Sequence, residues 1–120
     1  MASTARNMQR AYLIDAAAGN MAEGITSRVI DFKEMVIGSV QAVWAGADAQ
    51  DGEITLWVSN LPDPATFVPL DGGKRTLSVA PYSRMWQLGV IGYRYMMATY
   101  TPGANTMGTM FLFALGKISK

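Results

Sequence analysis

The chain has 120 residues, enough for one domain, and its 10 basic and 9 acidic residues leave a formal net charge of +1. It contains neither cysteine nor histidine, which excludes a disulfide framework, a thiolate nucleophile, the usual general base and metal sites built on either residue. Hydrophobic residues make up 50% of the chain and charged residues only 16%, compared with about 25% in typical soluble domains.

The N-terminal third predicts an arm followed by strands. Residues 1–10 carry two arginines and no acid, and we interpret them as an arm that orders on a neighbouring subunit, with a frayed terminus as the alternative. Residues 11–14 predict a short strand, and the alanine- and glycine-rich residues 15–24 a helical turn or a loop. Residues 26–33 alternate imperfectly and predict a further strand. Residues 35–45 are apolar on both faces and predict a central strand that is covered on both sides.

Residues 53–60 have the clearest strand pattern in the chain. Ile54, Leu56 and Val58 point to one side, and Trp57 points to the other. This period of two is typical of an antiparallel strand that buries one face only.

The rest of the chain predicts short strands separated by turns. The predicted strands cover residues 66–70, 75–80, 84–90, 92–101 and 109–116, with a hairpin turn at 71–74. The last strand is apolar on both faces, so we expect its outward side chains to be buried in an assembly. About eight strands with no sustained helical amphipathicity predict an all-β fold, an antiparallel β-sandwich or a small barrel. We assign residues 11–117 to this single domain and 118–120 to a polar tail.

The carboxylates do not form a recognisable reaction centre. Four of them lie in predicted turns and are interpreted as turn-forming residues: Asp48, Asp51, Asp63 and Asp71. Asp48, Asp51 and Glu53 do not have the spacing of an EF-hand calcium loop. Residues 71–75 contain glycines and basic residues but lack the spacing of a phosphate-binding loop. We therefore predict no catalytic residue, no metal site and no cofactor.

The aromatic residues divide between core and surface. Trp44 shares a strand face with valines and is predicted to lie in the core. Trp57 lies on the opposite side from its strand's apolar residues, so we expect it to cap the sandwich, to contact a partner subunit or to meet a ligand. Arg94 lies between two tyrosines and is expected to pack on an aromatic ring or to pair with a carboxylate.

Several short motifs occur in an order that resembles a known family. They are Ser39–Gly46 (SVQAVWAG), Gly52–Asn60 (GEITLWVSN), Phe67–Leu70 (FVPL), Gly92–Tyr95 (GYRY), Tyr100–Thr101, Asn105–Gly108 and Gly116–Lys117. Together they resemble small virion structural proteins of bacteriophages, of the capsid decoration or minor capsid type. Phe67 stands where that pattern has tryptophan, and Leu61 follows Asn60 where the pattern has aspartate.

The resemblance implies a jelly-roll-like β-sandwich, similar in layout to discoidin-type domains, and a non-enzymatic role in a virion made in the host cytoplasm. It also implies partners among other virion proteins and other copies of this chain, with a trimer by analogy. The alternative is a carbohydrate-binding or adhesion module, such as one from a phage fibre or tail. Only that alternative would involve a glycan.

Symmetric contacts between copies would use apolar strand faces and the terminal arm. The predicted interface residues are Arg6, Arg10, Trp57, Met96 and Met97. The near-neutral charge argues against a nucleic-acid partner. The N-terminus lacks the apolar segment of a signal peptide, and no run of 18 apolar residues predicts a membrane span.

Overall fold

The computed structural model describes residues 9–33, 35–77 and 82–119, with side chains from residue 14 to residue 117. Nine strands and a single turn of 3-10 helix, Pro64–Thr66, form the structure of these residues. The strands are β1 (Gln9–Asn20), β2 (Ile25–Thr26), β3 (Ile30–Asp31), β4 (Ile37–Ala45), β5 (Glu53–Ser59), β6 (Val68–Thr76), β7 (Ser83–Val90), β8 (Tyr95–Thr101) and β9 (Thr109–Ser119).

The strands form two antiparallel sheets. One sheet has the order β1-β9-β4-β7, and the other has the order β2-β8-β5-β6, with β3 also paired to β8. Because β2 and β3 pair with the same neighbour, they act as one interrupted strand and bring the count to eight. Consecutive strands then alternate between the sheets, except for the neighbouring pair β5 and β6, which is the double Greek-key order of a jelly roll. This topology confirms the predicted all-β, jelly-roll-like sandwich.

The core lies between the two sheets and is built from the inward row of each strand. Ile54 and Leu56 of β5 are completely buried, as the period-two pattern predicts. Trp44 of β4 is also buried, which confirms its predicted place in the core. Tyr100 of β8 is buried as well, and its hydroxyl donates a hydrogen bond to the backbone carbonyl of Met21 at 3.0 Å. This bond satisfies the only polar atom of a large buried side chain.

The prediction of a helical turn or loop at 15–24 is wrong for its first six residues. Strand β1 continues through Ala16 and Ala17 to Asn20 and remains paired with β9 throughout, apart from an irregularity between Asp15 and Ala17. Alanine and glycine have low strand propensity, but a full ladder to an apolar neighbour overrides it. The backbone of β1 begins at Gln9, so the ladder extends two residues into the segment predicted as an arm.

The predicted hairpin turn at 71–74 is also wrong. These residues lie inside β6, where Thr55 of β5 pairs with Lys74 but Trp57 pairs with Pro69. The intervening residues of β6 bulge out of the ladder, and the φ angle of +73° at Gly72 is one that glycine adopts readily. The strand predicted at 26–33 is replaced by the two short strands β2 and β3. Of the strand predicted at 75–80, the first two residues end β6, and 78–80 lie outside the described residues.

Candidate functional site

The loops at one end of the sandwich use their carboxylates to hold backbone. The carboxylate of Asp51 accepts a hydrogen bond from the backbone N–H of Ala104 at 2.9 Å. Asp48 accepts one from the backbone N–H of Thr106 at 2.9 Å and another from its hydroxyl. These bonds lower the pKa of Asp48 below its usual value. Both aspartates thus act on a loop more than 50 residues away, and not only on their own turns.

No group of acidic residues in the described ranges has an arrangement that would hold a metal ion. The two aspartates that come closest to the calcium-loop pattern already accept the N–H groups of the 104–106 loop. The two outer faces of the sandwich differ strongly in the chemistry of their side chains.

The outward side chains of the β1-β9-β4-β7 sheet form a surface that we call the apolar face. Its large members are Ile37 and Val43 of β4, Met85 and Val90 of β7, and Phe111, Phe113 and Leu115 of β9. Strand register places them side by side, because Val43 pairs with Phe111 and Gln41 pairs with Phe113. The rings of Phe111 and Phe113 stack at a centroid distance of 6.4 Å with planes 14° apart.

The apolar face is exposed to a degree that is unusual for such residues. The exposed fraction is 43% for Met85, 44% for Phe111 and 83% for Val90 at the end of β7. Among the side chains that the structure describes, two charged ones flank this face. They are Asp15 on the β1 side and Lys117 at one end. An exposed apolar patch with a polar rim is typical of an interaction surface.

Open grooves run along the apolar face on both sides of the β9 row. One of about 430 Å³ lies towards β1 and is lined by Asp15, Ala18, Phe111 and Phe113, among others. Another of about 300 Å³ lies towards β7 and is bounded by residues such as Met85. The β9 row therefore forms a ridge between two depressions.

The outward side chains of β5 and β8 form the other surface, which we call the polar face. Here Trp57 is half-buried, and its indole N–H donates a hydrogen bond to the hydroxyl of Thr99 at 2.9 Å. Towards its rim, Arg94 binds both carboxylate oxygens of Asp31 at 2.8 and 3.1 Å and lies 5.3 Å from the ring centre of Tyr95. This arrangement matches both contacts expected for Arg94.

The ion pair also changes the acidity of its carboxylate. The hydrogen bonds from Arg94 hold the pKa of Asp31 below its usual value, although partial desolvation works in the opposite direction. Glu53 and Lys74 form a looser pair on the same face at 3.4 Å.

The predicted interface residues fall in different environments. Met96 is completely buried between the sheets, so its prediction as an interface residue is corrected, because its side chain points inward from β8. Trp57 and Met97 are in register on the polar face and are partly exposed. Arg6 lies outside the described residues, and Arg10 lies in β1 with only its backbone described.

The named interface residues of the sequence analysis include none from the apolar face, for which it predicted only that the outward side chains of the last strand would be buried. The signal was present, because residues 35–45 and 109–116 are apolar on both sides of a period-two pattern. Strand β4 is central as predicted, flanked by β9 and β7, but its second side is not covered by any described residue of this chain.

No family model and no curated protein matches the chain. Among solved structures, it is similar to the SPBc2 prophage-derived protein YomS, with a TM-score of 0.58 and 8% identity over 91% of this chain and 94% of that one. It is similar to the K1 cleaved adhesin domain of Lys-gingipain from Porphyromonas gingivalis W83, with a TM-score of 0.51 and 11% identity over 92% and 90%.

The VP2 subviral particle of infectious bursal disease virus has the same fold as well, with a TM-score of 0.51 and 13% identity. That match covers 92% of this chain and 33% of the VP2 chain. At these identities the likeness concerns the fold alone. The described part of the chain has no helix of the length and apolarity that crossing a membrane requires.

Proposed function

We propose that this chain is a non-enzymatic structural component of a bacteriophage virion, of the capsid decoration, cement or minor capsid type. The observation that carries the proposal is the apolar face, an outer sheet surface of large apolar side chains that the described chain leaves uncovered. Apolar area removed from water contributes about 25 cal/mol per Å², so a surface of this kind favours association.

The fold supports the same role. A prophage-derived protein and a subviral-particle protein are among the structures with this sandwich at a TM-score above 0.5. In our proposal the chain is made in the host cytoplasm and then assembles with its own copies, a trimer being the state that the sequence resemblance implies, and with other virion proteins. The N-terminal arm with Arg6 and Arg10, and the Trp57 and Met97 surface, are proposed as additional contacts.

The alternative proposal is a carbohydrate-binding or adhesion module, and one observation favours it. The polar face presents the aromatic side chains of Trp57 and Tyr95, and an adhesin domain is among the similar folds. Against this, the indole N–H of Trp57 is already bound to Thr99. The aromatic residues also lie within strands, whereas loop aromatics and acids would form a typical glycan site.

The first experiment is the solution mass of the purified chain, measured by light scattering behind a sizing column over a dilution series. We expect an oligomer of fixed stoichiometry, a multiple of 13.0 kDa that persists on dilution. A 13.0 kDa monomer at every concentration would contradict self-assembly. A glycan-binding screen of the same sample then tests the alternative, which predicts saturable binding that is lost in Trp57→Ala.

A further inference from the structure

We infer that the apolar face is covered by the apolar face of a second copy of this chain, in a face-to-face twofold contact. This inference rests on the proposed function and specifies which surface performs the self-assembly. It agrees with the expectation that the outward side chains of the last strand are buried in an assembly, and it adds a surface to the predicted contacts of the arm and of the Trp57 face.

The shape of the apolar face suits a copy of itself. A twofold contact requires a self-complementary surface, because the same patch is used on both copies. If residue i of one copy contacts residue j of the other, residue j of the first also contacts residue i of the second. The ridge of Phe111, Phe113 and Leu115 lies between a groove towards β1 and a groove towards β7. The ridge of one copy can therefore occupy a groove of the other, as in the aligned packing of two sheets about 10 Å apart.

The charges also suit a copy of itself. The centre of the face is uncharged, and its polar members are Ser39 and Gln41 of β4 with Gln87 beside them on β7. The flanking charges are opposite, Asp15 at the β1 side and Lys117 at the end of the ridge. Two copies can meet without placing like charges against each other, whereas a strongly charged partner would find no opposing charge at the centre.

The area is large enough for a biological contact. Four strands about 4.8 Å apart and the nine residues of β4 at about 3.3 Å each give a face of about 19 by 30 Å. Two such faces together bury more than about 1,100 Å² when they meet, which exceeds the roughly 1,000 Å² expected of a biological interface. The twofold contact makes a dimer, and a trimer held by other contacts would double to a hexamer.

The test places one new charge on each face of the full-length chain. Phe113→Glu puts a carboxylate at the centre of the apolar face, and Thr55→Glu, the matched control, puts one on the outward side of the central strand β5. We expect Phe113→Glu to raise the dissociation constant of the dimer at least 100-fold in sedimentation velocity, because a carboxylate would be buried without a partner. Thr55→Glu should leave it within about twofold of the unchanged chain.

The outcomes separate the two proposals. If the unchanged chain associates and Phe113→Glu associates equally well, the choice of face is overturned while self-assembly stands. If Thr55→Glu dissociates and Phe113→Glu does not, the polar face is the contact. If the unchanged chain is a monomer at every concentration, self-assembly in the proposed function fails together with this inference.

A second measurement does not depend on the folding of Phe113→Glu. Because the chain contains no cysteine, a single introduced thiol reports one position without background. A short bismaleimide should link two copies of Gln41→Cys, at the centre of the apolar face, and should not link Thr55→Cys. Equal linking of the two variants, or linking of Thr55→Cys alone, would overturn the inference.

Discussion

The two outer faces of this sandwich belong to sheets that share one core, yet their side chains are stabilised differently. On the polar face, Trp57 is bound to Thr99, and Arg94 is bound to Asp31. On the apolar face, the described side chains form no hydrogen bond or ion pair, and the rings of Phe111 and Phe113 stack on each other and remain partly exposed. These polar-face groups are satisfied within the chain, whereas nothing in the described part of the chain covers the apolar face.

The largest expected change in stability tests whether buried side chains of the two sheets contribute equally to the free energy of unfolding. Leu56→Ala in β5 and Leu112→Ala in β9 should each lower the free energy of unfolding by about 2–5 kcal/mol, because both side chains are buried between the sheets. Chemical denaturation at one protein concentration measures this loss. The exposed Val68 provides the control, and Val68→Ala should change it by less than about 0.5 kcal/mol.

A much smaller loss for one of the two leucines would mean that the sheets differ throughout, and not only on their outer faces.

A smaller effect tests the bond that ties the polar face together. Trp57→Phe removes the indole donor to Thr99 and should cost about 0.5–1.5 kcal/mol of unfolding free energy. Thr99→Val removes the acceptor, so the double variant should lose less than the sum of the two single losses. Denaturant titration of all three variants checks this, and strictly additive losses would show that the bond does not contribute.

The smallest expected effect is the loss at acid pH of the stability that the Asp31–Arg94 ion pair contributes. The pKa of Asp31 is lowered by Arg94 in the folded chain, so the ion pair contributes stability at pH values above the unfolded value of 3.8. This contribution is lost as the pH falls below 3.8 and through the lowered folded value. Asp31→Asn should therefore lower the Tm by a few degrees at pH 7 and by less at pH 3.

Thermal unfolding at both pH values measures the acid effect. Asp71→Asn is the control, because Asp71 is exposed on β6. An equal change in Tm at the two pH values for Asp31→Asn would contradict an electrostatic contribution from this pair.

Local patterns predicted the elements whose two sides have different chemistry. The alternation of Ile54, Leu56 and Val58 with Trp57 placed β5 correctly, and the valines around Trp44 placed that side chain in the core. The same approach failed at 15–20 and at 71–74. There the residue types favour loops and turns, and pairing with distant strands decided the conformation.

The candidate surface was only partly predictable. The two-sided apolar patterns of 35–45 and 109–116 indicated that outward side chains need cover, but they could not say which sheet would carry them. Met96 was misassigned because adjacent methionines at 96 and 97 look alike in the sequence. The pleat directs them to opposite sides of β8, so one enters the core and the other reaches the surface.

The sequence by itself determined the all-β class, the absence of any site built on cysteine or histidine, and the excess of apolar residues. The tertiary structure alone decided where that excess lies. Strand pairing between β4 and β9, whose sequences are more than 60 residues apart, aligns their outward rows into one continuous face. The composition gives the number of apolar side chains, but the register of the paired strands decides which of them are neighbours in space.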